Sequence, residues 1–162
     1  MKNIRLSTLV GSLLLSTLAA HAATSTTTFQ VTATVSSGCV LAASNHDFGI
    51  YSTSSATDNI NGSNLLTATC TLAVPYTLGL NAGVGTGATA AARKMTRVGG
   101  TELLNYSLYQ TIDRLLVLSD VLTLSGMGTG LATNHAVFGK IAAAQNVPAG
   151  NYVDTVTATI TF

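Results

Sequence analysis

Tyr152-Val-Asp-Thr-Val-Thr-Ala-Thr-Ile-Thr-Phe162 alternates apolar and polar residues up to the last position of the sequence. Strict alternation marks a strand with one face on a core and the other on solvent. A second alternating stretch, Phe29-Gln-Val-Thr-Ala-Thr-Val-Ser36, stands ahead of the first cysteine. It places Phe29, Val31, Ala33 and Val35 on one face and Gln30, Thr32, Thr34 and Ser36 on the other, and Ser37-Gly38 breaks it. A sandwich that ends on such a strand exposes a ladder edge and an open core, an aggregation hazard in most proteins. A chain that also carries a spare strand can plug the matching gap in its neighbour. The two stretches together point to a self-assembling fibre subunit. The competing reading of 29–35 is an ordinary first strand folded into its own domain; the break at Ser37-Gly38 favours a detachable one.

The first 22 residues read as an export signal. Lys2 and Arg5 form a positive head, Leu6 to Leu18 is apolar, and Ala20-His21-Ala22 has the small-x-small pattern of a cleavage site. That apolar stretch is too short to span a bilayer comfortably. Cleavage would leave residues 23–162, the size of one domain. Without Lys2 and Arg5 the 7 basic side chains of the chain drop to 5 against 6 acidic ones. Nothing in that balance would condense onto a phosphate backbone, so no nucleic-acid partner is expected. With only 8% charged residues, Thr, Ser, Asn and Gly must cover the surface, which suits a protein destined for a polymer.

Cys39 and Cys70 are the only cysteines. In an exported chain they read as a disulfide. A metal site is the rival reading, but no CxxC spacing exists, and His46 and His135 are far apart in sequence. No metal and no cofactor is expected.

The body reads as short strands rich in Val, Thr and Tyr, punctuated by Gly and Asn, with no long amphipathic helix. Strands are expected at 39–43 continuing through 47–51, at 65–72, 74–80, 103–110 and 134–143, and across 152–162. A strand or helical turn is expected within 88–95, and loops at Gly83–Gly87 and Gly126–Gly130. That pattern predicts an all-β sandwich. The glycine clusters are neither GxGxxG nor GxxxxGK[ST], so no nucleotide is expected. No GxSxG exists to organise a hydrolytic Ser/His/Asp set, and the chain is not expected to be an enzyme or to take a small-molecule substrate. Arg93-Lys-Met-Thr-Arg97, the densest charge cluster, reads as a solvated face.

Six stretches resemble, in their order, the spore coat protein U domain family: Ser37-Gly-Cys39, Asp47-Phe-Gly49, Arg93-Lys-Met95, Leu104-Asn-Tyr-Ser-Leu-Tyr109, Val137-Phe-Gly-Lys-Ile141 and Gln145-Asn-Val-Pro-Ala-Gly-Asn-Tyr-Val-Asp154. That family includes the Csu-type pilins of archaic chaperone–usher systems in Gram-negative bacteria, and the resemblance covers 29–162. It implies an incomplete immunoglobulin-like β-sandwich lacking its final strand and completed by donor-strand complementation. The implied organisation is a signal peptide at 1–22, a donor-strand extension at 23–37 and a pilin domain at 38–162. The implied partners are other pilin subunits, a periplasmic chaperone and an outer-membrane usher, with export through the periplasm to a cell-surface fimbria serving adhesion and biofilm formation. The resemblance assigns Phe29, Val31, Ala33 and Val35 to the inserted strand and Cys39–Cys70 to the disulfide. Tyr152, Val153, Val156, Ala158, Ile160 and Phe162 would form a wall of the acceptor groove. The alternative is a secreted β-sandwich binding module or a minor or tip adhesin.

Overall fold

The computed structural model describes residues 22–162, so the export signal expected at 1–22 lies, but for Ala22, outside the described residues. The chain divides at Thr34 into a short unit and a compact body, Val35–Phe162. Residues 22–34 carry no strand or helix, and their side chains are exposed. An alternating segment without a ladder partner has nothing to hold it as a strand.

The body contains nine strands: β1 (Cys39–Ala43), β2 (Ser63–Cys70), β3 (Pro75–Leu80), β4 (Arg93–Arg97), β5 (Leu103–Tyr109), β6 (Leu124–Met127), β7 (Ala132–Lys140), β8 (Tyr152–Val153) and β9 (Ala158–Thr161). They form a six-stranded sheet in the order β1-β2-β7-β5-β4-β8 and a three-stranded sheet in the order β6-β3-β9. Every pairing is antiparallel. The all-β, immunoglobulin-like sandwich expected from the sequence is therefore the observed architecture. Its core takes alternate residues of the central strands: Leu66 and Ala68 from β2, Tyr76 and Leu78 from β3, Leu104, Tyr106 and Leu108 from β5. Each set is spaced by two, as one buried sheet face requires.

Cys39 and Cys70 stand opposite each other in the β1–β2 register and are joined by a disulfide with a Cα–Cα distance of 4.1 Å. Closing a loop of this length contributes roughly 3–4 kcal/mol in the chain-entropy account.

Several local expectations are corrected. Residues 47–51 do not continue β1. The Asp47 carboxylate accepts the Gly49 N–H at 2.8 Å and Gly49 sits at φ +64°, which turns the chain out of the ladder. The Asn59 side-chain amide then satisfies the Phe48 and Ile50 carbonyls, both at 3.1 Å. Gly126 and Met127, expected in a loop, belong to β6: Gly126 pairs with Tyr76, whose ring occupies the place a Cβ would take. The last strand is two, β8 and β9, in different sheets. Between them Asp154 binds the Val84 and Thr155 N–H groups, each at 2.8 Å, while Thr157 donates its N–H to the Asn81 side chain at 2.9 Å. The chain crosses there from one sheet to the other. Arg93, expected on a solvated face, is fully buried.

Candidate functional site: an open groove beside the last strand

Six strands face only three, and the three-stranded sheet ends on β9 at one side and β6 at the other. β9 has β3 as its sole neighbour, and β1 is an edge of the opposite sheet. Between residues 43–51 on one side and 147–158 on the other runs a groove made of two adjoining hollows of about 660 and 680 Å³. Its floor is apolar: Leu66, Met95, Leu104, Tyr106 and Leu108 of the six-stranded sheet, with Leu80 from β3. The two hollows share His46, Asp47, Phe48, Met95 and Tyr152. A groove with an apolar floor and polar rims, reaching β9 at Ala158, offers room for side chains beside a strand edge that has no partner among the described residues.

Of the residues predicted for this wall, Tyr152, Val156, Ala158 and Ile160 pack against the core. Val153 does not. It is 58% exposed, because it takes the opposite parity from Tyr152 and the strand period is two. Phe162 is also exposed, at 56%. Tyr152 is held by its hydroxyl, which donates to the Pro148 carbonyl at 2.8 Å. The four residues predicted to insert elsewhere lie apart from any ladder, with Phe29, Val31 and Val35 at 83–84% exposure.

Sequence reasoning missed two features of the site. Asp154 takes the inward parity of the wall between Tyr152 and Val156. Its second carboxylate oxygen accepts the Tyr106 hydroxyl at 2.7 Å, so a polar tether crosses an otherwise apolar groove. Burial raises the Tyr106 phenol above its ordinary range, and the carboxylate beside it adds to the rise, so the phenol stays a donor. The second feature is the contact between two of the quoted stretches. Phe48 of Asp47-Phe-Gly49 and the His46 ring lie where a side chain on Gly139 would sit, with Phe48 carbon atoms 2.5 and 2.6 Å from an added Cβ. Gly139 therefore lets the Phe48 and His46 rings, both of which line the groove, pack onto β7. Gln145 works similarly through hydrogen bonds: its amide accepts from the Asn105 N–H and donates to the Asn105 carbonyl, both at 2.8 Å, extending β5's pairing where β7 ends.

His46 stands at the rim with Nδ1 3.4 Å from Asn64 Oδ1, while its Nε2 is buried without a partner. Burial, partly opposed by the Asn64 contact, lowers its pKa below the ordinary histidine value. His135, whose Nε2 lies 2.8 Å from the Tyr76 hydroxyl, is lowered by burial as well. Both rings are therefore harder to protonate in the folded protein than in the unfolded chain. Their stabilising effect is complete above about pH 6.5, the unfolded value, and declines as the pH falls below it toward the depressed folded values. The melting temperature should fall between pH 7 and pH 5, and His46→Gln with His135→Gln should flatten that slope. A slope unchanged by both substitutions would assign the effect to other groups.

The comparisons with known proteins bear on the same body. The family profile described as Spore Coat Protein U domain matches residues 25–159. Protein U of Myxococcus xanthus is 34% identical over 157 residues, covering 88% of each chain. Among solved structures, the pre-assembly complex of the chaperone CsuC with the tip adhesion subunit CsuE, from the archaic chaperone–usher Csu pili of Acinetobacter baumannii, is similar with a TM-score of 0.59 at 21% identity. That match covers 80% of this chain and 40% of the other, so this chain spans well under half of its length. A likeness at that identity speaks for the fold. With the profile matching 25–159 and a relative 34% identical over 88% of each chain, the chain belongs to the spore coat protein U domain family.

Proposed function

We propose that this protein is a structural subunit of a chaperone–usher pilus that polymerises by donor-strand exchange. In this reading residues 1–22 direct export, 23–37 carry the donor strand and 38–162 form the body. A periplasmic chaperone lends a strand to the groove during folding. At an outer-membrane usher the extension of another subunit replaces it, and the product is a cell-surface fimbria. Function then resides in strand exchange, with no chemistry and no cofactor. The observation that carries this reading is a groove with an apolar floor that reaches the unpartnered strand β9 at Ala158, together with an exposed segment whose apolar residues recur every second position. Phe29, Val31, Ala33 and Val35 would fill the groove, and Tyr152, Val153, Val156, Ala158, Ile160 and Phe162 would wall it. Such a head-to-tail contact does not close on itself and so builds a filament.

The test uses a synthetic peptide of residues 27–37 added to the chain 23–162. A peptide in hundredfold excess over its Kd stabilises the fold it binds by about 2.7 kcal/mol. A rise in melting temperature is expected, absent for the same peptide carrying Val31→Asp. No shift at saturating peptide would refute the groove as a strand acceptor.

A second role, adhesion, draws on a separate observation. The connection between β5 and β6 exposes Ile112, Leu115, Leu116, Val121 and Leu122. Exposed apolar residues gathered in one loop mark a contact surface, so this loop is the place where a fibre or tip subunit would grip an apolar support. Ile112→Ser with Leu115→Ser should reduce attachment of fibres to polystyrene without reducing fibre yield. Undiminished attachment would remove this reading.

A further inference from the structure

We infer that the end of the body from which the amino-terminal extension leaves is a second subunit–subunit contact, and that its partner is the body of another copy of this chain. The inference rests on the donor-strand reading and adds to it a contact between bodies.

The point of exit is pinned. Gly38 donates its N–H to the Thr71 hydroxyl at 3.1 Å, and its carbonyl accepts the Thr71 N–H at 2.9 Å. The Cys39–Cys70 disulfide stands immediately behind. Around this exit two loops are laced together by their backbones. Ala73 donates to the Gly128 carbonyl at 2.8 Å, Gly128 to Val74 at 2.7 Å and Gly130 to Cys70 at 3.0 Å. These loops and the adjoining end of β6 present Leu72, Met127 and Leu131, all exposed, at 71%, 56% and 73%. Neither 69–75 nor 126–132 contains a charged residue. An uncharged, apolar collar held on a rigid base is what a desolvated contact requires.

The occupant follows from the length of chain. If Val35 is the last residue seated in a neighbour's groove, only three residue steps separate it from Gly38, and they reach at most about 11 Å. A body of this size has a radius of gyration of about 14 Å. A neighbour holding Val35 therefore cannot stand clear of the collar. Its groove mouth must face Leu72, Met127 and Leu131.

The experiment places a photo-activatable phenylalanine analogue at Leu131 in the full chain, expressed with its chaperone and usher. In assembled fibres, irradiation should join the probe to residues within 38–162 of a second subunit. The product should disappear when Val31→Asp is added and polymerisation stops. In parallel, Leu72→Asp with Leu131→Asp, at positions already in solvent, should leave fibres able to form but make them dissociate at a lower temperature than wild type. Fibres that form normally yet give no body-to-body product, or a double variant whose fibres are as heat-resistant as wild type, would overturn the collar and leave donor-strand exchange standing. A wild-type chain that forms no fibre would overturn both.

Discussion

Replacing Val31 with aspartate is expected to abolish fibre formation while leaving the body folded and able to accept a strand. Phe29, Val31 and Val35 are exposed at 83–84% in the free chain, so nearly all of their surface is available to be removed from water. Seating all three in the groove contributes on the order of 5–9 kcal/mol by area, an upper figure, and Ala33 adds little. One aspartate removes roughly 2 kcal/mol of that and brings a carboxylate against Leu66, Tyr106 and Leu108. Desolvating it, or protonating it to avoid desolvation, costs several kcal/mol more. A combined loss of about 5 kcal/mol weakens the contact by more than three orders of magnitude. Phe29→Asp should act in the same way. Thr32→Asp takes the opposite parity and should be tolerated, because its side chain would stay in solvent. Unheated gels and electron microscopy of the variants read the result directly. Fibres from Val31→Asp, or equal damage from Thr32→Asp, would remove the donor assignment.

The parity argument also explains what was legible before any coordinates. Period-two burial is a local property, so β3, β5 and β7 lie within two to three residues of where alternation placed them, and the expected Cys39–Cys70 disulfide is present. The errors arose where a side chain, rather than a neighbouring strand, satisfies the backbone. Asp47 and Asn59 take over at 47–50, so a run that looks extended is a turn. Asp154 and Asn81 take over at 154–157, so one alternating run serves two sheets. Val153 lines the groove yet stays 58% exposed, because two adjacent apolar residues cannot share a face, and composition alone does not say which turns inward. Gly126 reads as punctuation until the Tyr76 ring is seen lying over it. The groove itself was expected from an unpaired strand, but its floor is set by how six strands and three overlap, a property of the assembled sheets.

Arg93→Leu should be the most destabilising single substitution in the body, although a charge cluster in sequence suggested a tolerant surface. The guanidinium is fully buried and spends its donors on four main-chain carbonyls: Asn81 at 2.9 Å, Ala90 at 2.7 Å, Leu80 at 3.3 Å and Leu118 at 2.8 Å. It thereby ties the end of β3, the 81–92 connection and the segment at Leu118 to β4, beside the groove floor. Burial lowers its pKa, but an arginine starts high enough to keep its proton. Leucine would fill much of the space and leave four acceptors without their donor, of which those of Leu80 and Leu118 are buried and cost about 1–3 kcal/mol each where water cannot replace the donor. A net loss of about 3–5 kcal/mol is expected, a large share of the 5–15 kcal/mol that holds a domain together. The melting temperature should drop by roughly 10 °C or more. Arg93→Lys should recover little, since three donors on one nitrogen cannot reach oxygens arranged around a planar fork. Arg97, four residues on, is the internal control. It pairs with Glu102 at 3.4 Å with about a third of each side chain exposed, and Arg97→Ala should cost no more than about 1 kcal/mol. Thermal melts of the two variants side by side decide the matter: similar midpoints would mean that the buried fork contributes no more than a surface pair.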